Sequence, residues 1–178
     1  VDPTLDQWKS ILQTIQTKKD IICFDFAYMG LASGDPEHDC EIVRQALKSG
    51  LEFFVCFSFS KCMGLYGERI GCLHAVCANK EEAKAVESQI EIIGRQCYSV
   101  CPQNGALIAA EVLNDPTLKN QWIGELKACA KRIIDIREKF CDLLEEKTGR
   151  NWEFVRKQKG LFSYLLLTAH EVEMLEAE

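Results

Sequence analysis

The first part of the chain combines helical periodicity with strong capping and stop signals. Apolar residues recur every three or four positions across residues 5–19, which predicts an amphipathic helix. Thr4 can cap this helix, and Gln7 three residues later would complete a capping box. A second helix is predicted over residues 41–48, and Gly50 would end it.

Three continuous apolar runs alternate with these helices or come after them. They cover residues 21–24, 52–57 and 70–78, and each predicts a buried strand. The first run ends at Asp25, and turn-forming residues fill positions 30–36. Because the order is strand, helix, strand, we expect a parallel sheet with right-handed crossovers.

The second half of the chain is predominantly helical. Helices are predicted over residues 80–95 and 105–113, followed by a much longer apolar stripe over 118–147, and Gly149 would end that last helix. A helix of about 30 residues is roughly 45 Å long, enough to leave one domain and enter another. Residues 161–167 then predict a strand, and residues 171–178 a last helical segment.

The composition indicates the broad class of protein but not its specific function. The 178 residues are 47% hydrophobic and 27% charged, which suits one core, or one domain and part of another. A net charge of −6 without a basic face argues against a nucleic-acid partner. No apolar run approaches the roughly 20 residues of a membrane span, and residues 1–4 lack the features of a signal or transit peptide.

Ten cysteines raise the question of disulfides or a metal site. The chain contains no Cys-x-x-Cys pair, and its three histidines are scattered, so the sequence predicts neither a set of disulfides nor a metal site. Several cysteines lie inside apolar runs, where a free thiol behaves as a small hydrophobe. We therefore expect reduced, mostly buried thiols in an intracellular protein, with Cys62 the candidate for reactivity.

The most informative stretch of the chain is residues 58–69. Lys61 follows small hydroxyl residues and precedes glycines, and Arg69 lies eight positions further on. A lysine amine is a covalent catalyst only when it can lose its proton, while Ser58 and Arg69 supply the donors that a phosphate needs. Taken alone, a lysine after serines is also typical of an exposed surface.

Asp25 and Ser58 follow neighbouring predicted strands. Ligands of an open parallel sheet bind at the carboxyl ends of its strands, where an aspartate can meet a cationic group. Asp25 is equally compatible with a strand-end cap, and Tyr28 with a half-buried loop tyrosine, so these residues alone leave both interpretations open.

Together, residues 25–35 and 58–69 resemble two segments of the aspartate aminotransferases, enzymes of fold type I that use pyridoxal 5′-phosphate (PLP). The separation of 36 positions between Asp25 and Lys61 matches that family. The resemblance implies an α/β fold with part of the large PLP-binding domain, a mostly parallel sheet with helices, over residues 1–117. The long helix and the beginning of a small α+β domain would then occupy residues 118–178.

The resemblance also implies a role for each matched side chain. Lys61 would hold PLP in a Schiff base. Asp25 would keep the pyridinium nitrogen protonated, and Tyr28 would contact the 3-oxygen of the cofactor. Ser58 and Arg69 would bind its phosphate.

Arg95 carries the implied substrate preference. Residues 95–99 are similar to the segment whose arginine binds the side-chain carboxylate of the substrate in the partner subunit's active site. The chain departs from the family pattern at two places. Residues 100–102, shortly after Arg95, replace an Asn-Pro-Pro run, and Cys62, directly after Lys61, stands where an asparagine is usual.

The implied function is transamination between aspartate and 2-oxoglutarate in a homodimer whose substrates are dicarboxylic amino acids and 2-oxo acids. We expect a cytoplasmic protein, with the mitochondrial matrix as the alternative for a longer parent. The match begins after the family's N-terminal part and stops before its α-carboxylate-binding arginine, so a partial chain is expected. The alternatives are a catalytically inactive fragment or isoform that binds partners or dimerises, and another PLP reaction of acidic amino acids.

Overall fold

The computed structural model describes residues 3–177. Its N-terminal part is a three-stranded sheet with helices. The elements in chain order are α1 (Leu5–Lys18), β1 (Ile22–Phe26), α2 (Pro36–Asp39), α3 (Glu41–Lys48), β2 (Phe53–Ser58), α4 (Phe59–Cys62) and β3 (Gly71–Val76). The predicted capping box is confirmed, because Thr4 Oγ1 accepts from the backbone N–H of Gln7 and Gln7 Oε1 accepts from that of Thr4.

The sheet contains one parallel and one antiparallel pair of strands, whereas the sequence predicts a parallel sheet. β1 and β2 are parallel, with Asp25 opposite Cys56, but β3 runs antiparallel to β2. The parallel prediction is therefore wrong for the third strand. A parallel crossover is usually made by a helix long enough to return the chain, and the connection 59–70 contains only the single turn of α4.

One face of the sheet forms the main core. Phe24 and Phe53 pack edge to face with ring centroids 5.5 Å apart, and Leu12 and Ala46 complete the buried cluster from α1 and α3. Aromatic contacts of this kind stabilise a core beyond the area that they bury. This cluster fixes β1 and β2 side by side, which sets the positions of the residues at their carboxyl ends.

The cysteines are less buried than predicted. All ten are free, but only Cys62 and Cys141 are buried, and six are exposed. Side chains alternate across a strand, so Cys23 and Cys56 lie on the face opposite the core, with their sulfurs 3.6 Å apart. The prediction of mostly buried thiols is wrong because the two faces of an apolar strand are not equally buried.

The C-terminal part of the described residues is helical. It contains α5 (Lys80–Tyr98), α6 (Asn104–Asn114), α7 (Pro116–Thr148), α8 (Glu153–Arg156) and α9 (Ala169–Ala177). The predicted long helix is confirmed as the 33 residues of α7, about 50 Å in length. Asp115 caps its N-terminus and Gly149, at φ +64°, ends it. Within residues 3–177, none of the helices has the length and apolarity that crossing a membrane requires.

The strand predicted over residues 161–167 does not form. The segment has no strand beside it in the described part of the chain, and a strand exists only through pairing with a neighbour. Instead, the side-chain amide of Gln158 donates to the carbonyl of Tyr164 at 2.8 Å and accepts from its N–H at 2.7 Å. One buried side chain thus takes the place of part of a strand partner.

Candidate active site

The candidate site lies at the carboxyl edge shared by β1 and β2. Asp25 is the fourth of the five residues of β1, and Ser58 is the last residue of β2. Because these strands are parallel and in register, both side chains come to the same edge of the sheet, and α4 places Lys61 one turn further on. The Asp25 side chain is exposed, and its Oδ1 accepts the backbone N–H of Ala27 at 3.1 Å.

Two tyrosine rings lie beside the Lys61 amine. Its Nζ is 4.2 Å from the ring centroid of Tyr66 and 5.9 Å from that of Tyr28. Within residues 3–177, no carboxylate lies within 4 Å of this amine. The ammonium is therefore stabilised by ring faces rather than by an ion pair. Sequence reasoning missed Tyr66, although its place within the 58–69 loop was the available signal.

Ser58 and Arg69 lie at the two ends of that loop. Ser58 Oγ caps α4 by accepting the N–H of Ser60 at 3.2 Å. Arg69 is exposed at φ +50°, and its Nη1 donates to the carbonyl of Tyr66. The backbone N–H of Phe59 donates to the carbonyl of Ile70 at 3.1 Å, which joins the residue after Ser58 to the residue after Arg69. The two predicted phosphate ligands are thus held on neighbouring backbone.

Arg95 does not join the other predicted site residues. It lies exposed in the last turn of α5. No hydrogen bond or ion pair within residues 3–177 connects its side chain to Asp25, Lys61 or Arg69. Asp25 and Ser58 thus lie at one edge of the sheet and Lys61 lies beside Tyr28, whereas no contact within residues 3–177 links Arg95 to them.

The helix α7 supports both loops of the site. Trp122 Nε1 donates to the carbonyl of Cys62, and Leu126 packs with Cys62 and Leu31 in a second buried cluster. Gly30, at φ +82°, approaches α7 so closely that a Cβ would lie 2.4 Å from Leu126 Cδ2. The long helix thus fixes the loop after β1 and the lysine helix relative to each other.

Cys62 belongs to this support and not to the reactive groups. Its side chain is buried, and burial raises the pKa of the Cys62 thiol to about 11. The thiolate is the reactive form, so the burial of Cys62 and its raised pKa argue against it as the reactive cysteine. Because the fold favours the neutral thiol, this preference contributes to the free energy of unfolding. The contribution is fully present below a pH of roughly 8.5, the ordinary pKa of a thiol. That contribution is lost as the pH rises towards about 11.

We predict that Cys62 resists alkylation in the folded protein. At pH 8 iodoacetamide should modify Cys62 at least about 100-fold more slowly than the exposed Cys129, because the thiolate of Cys62 is scarce and shielded. Peptide mapping after timed labelling measures both rates, and unfolding in urea should equalise them. Equal rates in the folded protein would contradict the burial of Cys62.

The donor set at this edge fits PLP. A carboxylate suits a pyridinium nitrogen, an amine suits an aldehyde carbon, and a hydroxyl with a guanidinium suits a phosphate. The Asp25 side chain makes no ion pair within residues 3–177, and its single hydrogen bond there uses only one carboxylate oxygen. Lys61 likewise has no acidic partner in that part of the chain, so neither group is committed elsewhere.

Two curated relatives illustrate the sequence similarity. The mitochondrial aspartate aminotransferase of Arabidopsis thaliana is 43% identical over 180 residues, which cover 100% of this chain and 42% of that protein. The cytoplasmic aspartate aminotransferase of Schizosaccharomyces pombe is 41% identical, with coverages of 99% and 43%. The chain therefore spans less than half the length of these relatives.

Solved structures and a family model agree with this likeness. An aromatic amino acid aminotransferase from Psychrobacter sp. B6, cocrystallised with aspartic acid, has a TM-score of 0.95 at 40% identity, covering 100% of this chain and 45% of its own. The aromatic-amino-acid aminotransferase of Burkholderia pseudomallei, covalently bound to pyridoxal phosphate, has a TM-score of 0.94 at 34% identity, with the same coverages. The family model for aminotransferase class I and II matches residues 1–177. The chain belongs to the class I and II aminotransferases.

Proposed function

We propose that the protein carrying this chain is a PLP-dependent aspartate aminotransferase that exchanges an amino group between aspartate and 2-oxoglutarate. The observation that carries the proposal is the meeting of Asp25, Tyr28 and Lys61 at one sheet edge, with the lysine amine free of any acidic partner within residues 3–177. The curated relatives support the choice of aspartate, since both are named for that substrate.

Five side chains would hold the cofactor. Lys61 would bind its aldehyde carbon, Asp25 would keep its ring nitrogen protonated, and Tyr28 would contact its 3-oxygen. Ser58 and Arg69 would anchor its phosphate with a hydroxyl and a guanidinium. When bound, PLP supplies an electron sink for the bond that breaks at the substrate α-carbon.

Lys61 would also move the proton of the reaction. Once released by an incoming amino acid, its amine can take the proton from the substrate α-carbon as a general base. The amine becomes an ammonium in this step. The rings of Tyr66 and Tyr28 face that ammonium and stabilise it without the fixed negative charge of a carboxylate.

The organisation of the whole protein is part of the proposal. We assign residues 1–117 to a large cofactor-binding domain and residues 118–178 to the connecting helix and the beginning of a small domain. The active protein would be a homodimer, with dicarboxylic amino acids and 2-oxo acids as substrates. The relatives include both cytoplasmic and mitochondrial enzymes, and we propose the cytoplasm for this one.

Incubation with aspartate and 2-oxoglutarate tests the proposal. The purified protein that contains this sequence should be yellow with PLP and should form glutamate and oxaloacetate in equal amounts. Decarboxylated or racemised aspartate as the main product would assign a different PLP reaction. A colourless protein without turnover would support a catalytically inactive fragment or isoform.

We predict that Arg95 acts across a subunit interface. An arginine can pair with a carboxylate through two charge-assisted hydrogen bonds, and Arg95 is exposed in the last turn of α5. Arg95→Ala should lower kcat/KM for aspartate by about 100-fold or more, the equivalent of roughly 3 kcal/mol, with much less effect on alanine or aromatic substrates.

Mixed dimers test the crossing directly. Lys61→Ala protein, inactive towards aspartate, and Arg95→Ala protein, strongly impaired towards it, should recover aspartate activity when their subunits are exchanged, because one active site of each mixed dimer then contains both residues. No recovery after verified exchange, together with an unchanged aspartate preference in Arg95→Ala, would place Arg95 on an ordinary surface.

A further inference from the structure

A cavity of about 260 Å³ lies between α7, the region after β1 and the segment after α8. None of the predicted site residues is in its lining. Ser33 and Asp39 line it from the region after β1, Ile134 and Arg137 from α7, and Lys159 from the segment after α8. Pockets for drug-sized ligands begin at roughly 300 Å³, so this cavity suits a smaller molecule.

Arg137 is the unusual member of this lining. It is only 7% exposed, and its two hydrogen bonds go to neutral acceptors, from Nε to Ser163 Oγ at 3.2 Å and from Nη2 to the carbonyl of Gly160. No carboxylate within residues 3–177 lies within 4 Å of its guanidinium. A buried charge without a counter-charge is costly.

The remaining donors of Arg137 face open space. Nη1 makes no hydrogen bond within residues 3–177, yet that part of the chain contains no side-chain nitrogen that is both fully buried and unpaired. Nη1 must therefore reach accessible volume. Arg137 also lines the cavity, which is therefore open volume next to this side chain.

The other charged groups of the lining are mostly committed. Arg156 is balanced by carboxylates of α7 and α8, namely Glu138, Asp142, Glu145 and Glu153. Lys157 pairs with Glu153 at 3.6 Å. Asp39 Oδ2 accepts the backbone N–H groups of Gly30 and Ala32. Lys159 makes no ion pair in the described part of the chain, so Arg137 and Lys159 are the uncompensated cations of the lining.

We propose that this cavity binds a small oxyanion, a phosphate or a carboxylate, between Arg137 and Lys159. The planar guanidinium offers its free N–H groups to two oxygens of one anion, which is the geometry that arginine supplies best. Lys159 adds a second charge from the facing segment. The bound anion would join α7 to the segment after α8 and remove the unpaired charge of Arg137.

Phosphate binding to the PLP-loaded protein tests this proposal. Loading with PLP keeps the phosphate probe away from the cofactor's own phosphate ligands. Phosphate should raise the midpoint of thermal unfolding more than chloride does at equal ionic strength. Lys159→Gln should weaken the apparent phosphate affinity about fivefold to tenfold, as expected for one lost charge-assisted contact, whereas Lys147→Gln, the same change on an exposed part of α7, should not. Equal affinities in these two variants would overturn the proposal.

Arg137 needs a second readout, because its replacement also removes the bonds to Ser163 and Gly160. Crystals of the unsubstituted, PLP-loaded protein soaked in selenate should show an anomalous selenium peak beside Arg137, and crystals of Lys159→Gln should show a weaker one. A cavity without selenium, or an Arg137 paired with a carboxylate side chain of the same protein, would overturn the assignment of a ligand site.

Discussion

Lys61→Ala should abolish transamination, with kcat lower by about 10⁴-fold or more, because both covalent attachment and proton transfer are assigned to this one amine. The protein should still fold, since the side chain of Lys61 makes no ion pair or hydrogen bond within residues 3–177 and lies only against the two tyrosine rings. Its unfolding midpoint should therefore stay close to that of the unsubstituted protein. Steady-state turnover with aspartate and 2-oxoglutarate measures the loss.

A lysine elsewhere on the same unit provides the control for this prediction. Lys80 begins α5, is exposed and makes no ion pair in the described part of the chain. Lys80→Ala should keep normal turnover. Near-normal turnover in Lys61→Ala, measured beside this control, would remove the lysine from the mechanism.

Asp25→Ala should slow the chemical step by about 10³-fold or more, upward of about 4 kcal/mol, while much of the cofactor is retained. A ring nitrogen without a neighbouring carboxylate loses its proton and accepts electrons poorly. The proposed phosphate ligands Ser58 and Arg69 are unchanged by the substitution, so PLP should still bind. Single-turnover kinetics and the PLP content of the purified variant separate the two effects.

Asp25→Asn separates the charge of this residue from its role in the turn. An asparagine can still accept the N–H of Ala27, which is the only hydrogen bond that the side chain of Asp25 makes within residues 3–177. We therefore expect Asp25→Asn to be nearly as slow as Asp25→Ala. Normal turnover in Asp25→Asn with damage in Asp25→Ala would show that the residue is only a cap at the end of β1.

The elements predicted correctly are those set by local sequence. The capping box of Thr4 and Gln7 and the stop at Gly149 depend on residues within one turn of each helix end. The apolar stripe along α7 repeats over many turns, so its period distinguishes a helix from a strand even where a short part of it could be either. The parallel pairing of β1 with β2 followed from the helix between them.

The errors arise where the partner of a segment decides its structure. The direction of β3 depends on how a short loop returns, and residues 161–167 have no neighbouring strand within residues 3–177, so Gln158 bonds to part of their backbone instead. The exposure of Cys23 and Cys56 likewise depends on which face of the sheet is covered. An apolar run does not encode any of these features by itself.

The candidate site was predictable only in part for the same reason. Strand ends and loop composition are local features, and they indicate Asp25 and Lys61 from the sequence alone. The sequence does not indicate the roles of Tyr66 and Trp122. The Tyr66 ring lies beside an amine, and the Trp122 indole donates a hydrogen bond to a carbonyl 60 positions away. Both are tertiary contacts that leave no periodic pattern in the sequence. Arg95 remains a prediction, because no contact of its side chain within residues 3–177 tests it.

Borohydride reduction of the PLP-loaded protein, followed by peptide mapping, tests the central assignment most directly. Reduction fixes the cofactor to the amine that holds it as a stable secondary amine, which survives proteolysis and is read by mass. We expect the label on Lys61 alone, in the peptide that contains residues 58–69. A label on Lys48, Lys80 or Lys84, with Lys61 unmodified, would contradict the assignment.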